Sequence, residues 1–275
     1  MLKSNNLPCF VYCIDEMKHR IVAILNFLGL DIAKAMSNVR GLRFFLKDRR
    51  ELKKQLAGSS DFTFGRNYPI LHERNEEAGI LSGHYFHQDL HVARRIFKYS
   101  PQKHVDLGSR LDGFVAHVAT YREIEVLDIR PQENKVKNIQ FRQMDLMQLP
   151  EDMVSYCDSF SSLHAIEHFG LGRYNDPIDA KGHEKAIANI AKILKSGGIF
   201  YFSVPIGPQR IEFNAHRVFS VQYLLNLLDP FFEVVHFSYV DDPGYFHKHI
   251  PLKQADIANN FGCYYGCGIF ELMRK

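Results

Sequence analysis

From Gly79 to Lys275 the chain repeats one pattern: a short apolar run, a loop, then an amphipathic segment long enough for a helix. Parallel strands need crossover connections of about a dozen residues or more, whereas hairpins need only a few. That spacing restricts the chain to strands joined through helices. It predicts strands over His104–Leu107, Ile124–Ile129, Ile139–Met144, Tyr156–Leu163, Ile199–Val204, Phe232–Tyr239 and Gly266–Met273. Helices are predicted over Gly83–Tyr99, Gly113–Thr120, Glu184–Leu194 and Val221–Leu228, and another opens at Ala165. Ser196-Gly197-Gly198 is a helix stop signal and Pro205 ends the fifth strand. The expected fold class is α/β: a doubly wound, seven-stranded, mostly parallel sheet with helices on both faces.

Residues 1–75 differ from the domain expected over 76–275. Glu16–Leu56 has helical apolar spacing, and Gly58–Tyr68 is a polar connector, so the segment reads as a helical N-terminal extension. On its basic stretch Phe44, Phe45 and Leu46 are expected inward, with Lys47, Arg49, Arg50, Lys53 and Lys54 outward. Such a face is either a solvated surface or a patch for an acidic partner: a phosphorylated substrate, RNA or anionic lipid. Over the whole chain 34 basic and 31 acidic side chains leave a net charge of +3, too balanced to argue for nucleic acid or a membrane surface. The apolar run Ile21–Leu30 is far short of the ~20 residues a membrane span needs, and its flanks lack a cleavage-site pattern. Cys9/Cys13 and Cys263/Cys267 repeat a C-x3-C spacing, but the five cysteines form no disulfide framework or zinc knuckle. Free thiols, a cytoplasmic location and no membrane span are therefore expected.

Open α/β sheets bind ligands at the carboxyl ends of their strands. After the first predicted strand comes Asp106-Leu107-Gly108-Ser109, where a glycine lets backbone approach a ligand. The second strand ends at Leu127-Asp128-Ile129, placing an acidic residue where ribose hydroxyls can be accepted. The third is followed by Met144-Asp145-Leu146. Each piece alone is weak; the three in order, each at a strand end, are far more specific. A dinucleotide site would prefer G-x-G-x-x-G, and only Gly108 and Gly113 are present, at another spacing.

These residues resemble the class I S-adenosylmethionine-dependent methyltransferase superfamily, over about Gly83 to Lys275. That resemblance implies a Rossmann-like fold with a Gly-Gly turn before strand five, as in Leu194–Gly198, and an antiparallel last strand at Cys267–Leu272. It implies S-adenosylmethionine as cofactor, held by Asp106, Gly108, Ser109, Asp128, Ile129, Asp145 and Leu146. Gln88, with Tyr85 and Asp89, would close over its methionine end, although an amphipathic helix accounts for those three equally well. The stretches Gly83–Leu90, His168–Tyr174 and Phe213–Arg217 look like an uncharacterised subfamily, a domain of unknown function with no known substrate.

His164-Ala165-Ile166-Glu167-His168 begins where strand four should end. On a helix, positions i, i+3 and i+4 share a face, so His164, Glu167 and His168 should converge. H-x-x-E-H is also a metalloprotease pattern, but it needs an extended helix and a distant ligand, and this frame argues against it. Metal-dependent O-methyltransferases of small RNAs are similar, with E-x-x-E-H in this place and a later His. The resemblance implies a divalent ion held by His164, Glu167, His168 and His216, with His164 replacing the family's first Glu. That softer set suits Zn, Fe or Mn better than Mg. The competing reading is a Glu-His pair that only packs or caps, with His168 or His164 then acting as general base. Arg173, in a glycine-flanked loop, would clamp a phosphate or carboxylate on the acceptor, or the loop is a plain surface turn. Residues 241–260 are expected to form a substrate lid.

The activity expected is methyl transfer to a hydroxyl of a small molecule or glycan precursor. RNA ribose is the alternative acceptor, and a non-catalytic cofactor-binding module the alternative outside enzymes.

Overall fold

The computed structural model describes Leu25 and residues 29–57, 62–149 and 151–275. The expectations placed on Cys9, Cys13 and most of the Ile21–Leu30 run fall outside them. The chain divides into two compact units, Met1–Gly79 and Ile80–Lys275.

In the first unit helix α1 spans Ile32–Gln55, with the Asp31 side chain accepting a hydrogen bond from Lys34 N at 2.9 Å as its N-cap. Phe44 and Leu46, expected inward, are 44% and 46% exposed. Phe44 instead carries the Arg74 guanidinium over its ring, and Arg74 also pairs with Asp48.

The second unit is built on one sheet. Its strands are β1 (His104–Leu107), β2 (Ile124–Asp128), β3 (Ile139–Gln143), β4 (Cys157–Leu163), β5 (Leu194–Ile206), β8 (Phe232–Val240), β9 (Phe246–His247) and β10 (Gly266–Arg274). A separate hairpin pairs β6 (Arg210–Glu212) with β7 (His216–Val218). The sheet order is β3-β2-β1-β4-β5-β10-β8-β9, eight strands where seven were expected, because residues 246–247 add a short edge strand. Strands β3, β2, β1, β4 and β5 run parallel, and β10 lies antiparallel between β5 and β8.

The helices are α2 (His84–Tyr99), α3 (Ala116–Ala119, entered through a π turn over Leu111–Val115), α4 (Gly182–Ile193), α5 (Val221–Leu228) and α6 (Gln254–Ala258). One apolar cluster joins Phe200, Phe202, Phe232, Phe237 and Phe270 with Ile187, Ile190 and Leu224. A second joins Val92 and Ile96 of α2 with Phe114, Val126 and Ile269. The two clusters make the sheet apolar on both faces, as its near-continuous hydrophobic strands require.

Three expectations are corrected. No helix opens at Ala165; only a 3-10 turn forms over Ile166–His168, bounded by non-helical backbone at His164 (φ +52) and at Phe169 (ψ 128). Ser196–Gly198 does not separate helix from strand: α4 stops at Ile193, and Gly197 (φ +76) lies in an irregular start of β5, where the register with β4 shifts. Residues 241–260 are not a structureless loop, since they contain β9 and the whole of α6. They also dock on the start of α2, where Gly83 N donates to the Gly244 carbonyl at 3.1 Å.

Burial fixes how the fold responds to acid. The imidazoles of His84, His91 and His183 are pushed down to about 4, and that of His104 to about 3, chiefly by desolvation. Each lies below the ~6.5 of the unfolded chain. Acidification therefore protonates the unfolded state first, and the stability these groups contribute is lost as pH falls below about 6.5. Asp106 (about 7) and Asp89 (about 6) are raised by burial and act in the opposite sense, but they are fewer. Calorimetry should find the melting temperature falling from pH 6.5 toward 4, and His104→Gln should flatten that fall. A midpoint independent of pH over the range would contradict the burial argument.

Candidate active site

The site is assembled at the carboxyl ends of β1, β2 and β4. Beneath it lies a buried polar chain. Asp106, on β1, is wholly buried and accepts from Ser161 Oγ of β4 (2.5 Å), Ser109 Oγ (2.6 Å) and Ser109 N (3.1 Å). Ser109 Oγ in turn accepts from Leu163 N at 3.0 Å. Since Ser161 gives its proton to Asp106, it accepts from His104 Nε2 at 3.1 Å, which leaves His104 Nδ1 to accept from Ser159 Oγ at 2.8 Å. Asp106 and Ser109 therefore shape the loop from below, where the sequence reading had them as cofactor contacts. Burial pushes the Asp106 carboxyl up to about 7, opposed by the Ser109 and Ser161 hydrogen bonds.

Gly108 sits at φ +66, and a Cβ there would lie 2.9 Å from Ala165 Cβ. Only glycine satisfies both the turn and the close passage of the β4 loop. The cleft above is lined by Leu107, Gly108, Asp128, Ile129, Asp145, Leu146, His164, His168, Tyr174 and Asp176, among others. Of the expected cofactor residues, Gly108, Asp128, Ile129, Asp145 and Leu146 thus meet on one cleft. Asp145 Oδ1 accepts from Met147 N (2.9 Å), which orients its carboxylate. Asp128 is held by Arg130 through Nε (2.9 Å) and Nη2 (2.6 Å), and the Arg130 guanidinium lies 4.4 Å over the Tyr174 ring. Gln88 does not line the cleft: it is buried, and its Oε1 accepts from Ser203 Oγ at 2.6 Å. Asp89 is buried beside Gly113, where a Cβ would lie 2.5 Å from its Oδ2.

His164, Glu167 and His168 do converge, by a geometry other than the expected helix face. His164 Nδ1 lies 2.8 Å from Glu167 Oε1, and the same oxygen is 3.8 Å from His168 Nε2. His164 Nε2 and Glu167 Oε2 are buried without a hydrogen-bond partner. Burial disfavours charge on His164, but Cys267 and Glu167 outweigh it and hold its pKa well above the usual imidazole value. Burial likewise opposes charge on Glu167, yet His164 keeps that carboxyl below its ordinary value. His168 is lowered, by burial first, with Glu167 and the Ala215 carbonyl opposing. Its Nδ1 lies 2.6 Å from the Ala215 carbonyl of the β6–β7 hairpin, which fixes Nδ1 as the protonated nitrogen and Nε2 as the lone pair.

Arg173 Nη1 donates to the same Ala215 carbonyl at 2.8 Å, so in this state it braces the hairpin. His216 Nε2 lies 3.2 Å from Glu212 Oε2, and its ring stacks against Tyr265 at 5.2 Å. Of the four expected metal ligands, only His164 belongs to a grouping whose donor atoms all lie within 4.8 Å, and its companions are His84 and Cys267.

Sequence reasoning missed His84, Tyr265 and Cys267, which reach the site from the start of α2 and from β10 and its approach. It also missed Arg217, whose buried guanidinium donates to the Phe169 carbonyl at 2.5 Å and so holds the turn bearing Glu167 and His168. His84 and Arg217 lay inside quoted motifs without a role and Cys267 in a C-x3-C pair read as free thiols, while Tyr265 carried no signal in its spacing.

With this geometry established, comparison with known proteins gives the family. The model of the family described as Caenorhabditis protein of unknown function, DUF268, matches residues 114–259, over half of the chain, and the chain belongs to that family. No curated protein matches. Among solved structures it is similar to the 1,6-didemethyltoxoflavin-N1-methyltransferase of Burkholderia thailandensis, solved with S-adenosylhomocysteine. The identity is 14%, the match covers 68% of this chain and 78% of that one, and the TM-score is 0.50. It is also similar to the N-methyltransferase NodS of Bradyrhizobium japonicum at 13% identity, covering 70% and 88%, with a TM-score of 0.47. At that identity the likeness to the Burkholderia enzyme speaks to the fold alone, which is the Rossmann-like fold of the class I methyltransferases.

The Asp106 network makes a direct prediction. Asp106→Asn puts an amide NH2 among hydroxyl and amide donors and leaves at least one unsatisfied. It should cost ~1–3 kcal/mol in urea unfolding, and an unchanged midpoint would show that the network carries no stability.

Proposed function

We propose that this member of the DUF268 family transfers a methyl group from S-adenosylmethionine to a hydroxyl of a small polar acceptor. The observation that carries the reading is the single cleft in which Gly108, Asp128 and Asp145 face His164 and His168. In this reading the Gly108 backbone accommodates the methionine end, Asp128 exchanges Arg130 for the ribose hydroxyls, and Asp145 meets the adenine amino group. The acceptor oxygen attacks the methyl carbon in line as the carbon–sulfur bond breaks, leaving S-adenosylhomocysteine. His168 Nε2, left as the lone pair by the Nδ1 contact with Ala215 in an imidazole whose charged form burial disfavours, takes the hydroxyl proton. Enzyme groups here mainly position the two reactants.

Tyr174 and Asp176 line the cleft and Arg173 lies beside His168, and their polarity supports a sugar or another glycan precursor as substrate. A divalent ion that lowers the hydroxyl pKa belongs to the same reading; His164, Glu167, His168 and His216 are the ligand set suggested by sequence. An RNA ribose is the second reading, supported by the exposed Lys47, Arg50, Lys53 and Lys54 of α1. RNA binding with a steep salt dependence would favour it. No helix among the described residues is long and apolar enough to cross a membrane. Cys157, Cys263 and Cys267 are free and buried, which supports a reducing, cytoplasmic setting.

Two measurements test the proposal. Calorimetric titration should show binding of S-adenosylmethionine and S-adenosylhomocysteine, weakened at least ~10-fold in Asp128→Ala, the loss of one or two charged hydrogen bonds. Failure of both ligands to bind would remove the cofactor reading. Once an acceptor is found, His168→Ala should lower kcat by ~10²–10⁴ with cofactor affinity unchanged; full activity in that variant would exclude it as base.

A further inference from the structure

We propose that His84, His164 and Cys267 form a site for one divalent metal ion of zinc-like chemistry, with Glu167 orienting His164 from behind. One donor atom from each of the three lies within 4.8 Å of the others. They come from three places: His84 opens α2, His164 follows β4, and Cys267 lies in β10. Cys267 is fully buried and His164 is 8% exposed.

The second observation is the state of the His164 ring. Its Nδ1 is taken up by Glu167 Oε1 at 2.8 Å, while its Nε2 is buried with no hydrogen-bond partner. An uncompensated buried nitrogen costs ~1–3 kcal/mol. The arrangement is the one that metal-bound histidines use: one nitrogen donates to a carboxylate, which fixes orientation, and the other takes the ion once its own proton is released. Glu167 is itself nearly inaccessible, at 1% exposed, as an orienting carboxylate would be.

The donor set selects the ion. Two imidazoles and a thiolate favour zinc over magnesium or calcium, which prefer oxygen. Tetrahedral Zn–N and Zn–S bonds of about 2.0–2.3 Å place ligand atoms roughly 3.5 Å apart, so binding would draw the three donors together by at most about an ångström and turn the His84 ring out of its stack on His164. Three protein ligands leave a fourth position, as in catalytic rather than structural zinc sites. His164 also lines the cofactor cleft, so that position adjoins the region where the acceptor hydroxyl is placed above. This role rests on the methyltransferase reading; the metal site itself does not.

The test uses the full-length protein, chelated, reloaded with Zn²⁺ or Co²⁺ and desalted. Elemental analysis should find about one zinc per chain. The cobalt form should show a thiolate-to-metal charge-transfer band that Cys267→Ser abolishes. His164→Ala and His84→Ala should each reduce retained zinc at least tenfold, while circular dichroism reports whether the variants fold; His84, at the start of α2, is the safer substitution. Absence of stoichiometric zinc in the wild type would overturn the proposal. So would zinc retained equally by folded Cys267→Ser and His84→Ala. Titration of the same samples with S-adenosylhomocysteine separates the two claims. Cofactor binding without zinc leaves the methyltransferase reading and removes the metal site; zinc without cofactor binding does the reverse.

Discussion

The buried carboxylate of Asp106 is the interaction on which the site depends. A carboxylate at the centre of a sheet is costly to bury, and here three donors surround it, one from β4 and two from Ser109 of the following loop. The same contacts set the height of the Gly108 loop above β1 and tie that loop to β4 through Leu163 N. The glycine turn, the end of β4 and the His164 backbone that follows are therefore positioned as one piece. Without it, the Gly108 loop and the histidine cluster would have no common reference.

A second constraint comes from sheet order. Because β10 enters antiparallel between β5 and β8, its Gly266–Gly268 end lies near the carboxyl ends of the parallel strands. That placement brings Cys267 beside residues from the start of α2 and the end of β4. Aromatic stacking continues the arrangement outward, with the His84 ring parallel to His164 at 5.2 Å and tilted on Tyr265 at 5.5 Å. Tyr265 then meets His216 of the hairpin, so the cluster is built from four separate stretches of chain.

Much of the fold was legible because parallel strands leave strong local marks. The apolar runs of β1, β2 and β4, and the acidic residues after β2 and β3, needed no knowledge of distant contacts. What local pattern could not supply was conformation at single residues and proximity across the sheet. His164 looked like the first residue of a helix, yet its positive φ takes it out of any helix, and it meets Glu167 through Nδ1. Asp106 and Gln88 were read as cofactor contacts from their positions, but burial assigns both to hydrogen bonds beneath the site. Cys267 looked like an ordinary strand residue, since nothing in its neighbourhood announces a histidine 183 positions away.

The sheet ends in two short edges, five-residue β3 on one side and two-residue β9 on the other. An open edge is a template for another chain, and long flat edges invite uncontrolled association. Here β3 is only five residues long and carries the charged Arg142, and Pro243 and Pro251 lie on either side of the two-residue β9, so both borders are short and blunted. The eight-stranded core can be wide enough to host a cleft at its middle while remaining resistant to edge-to-edge aggregation.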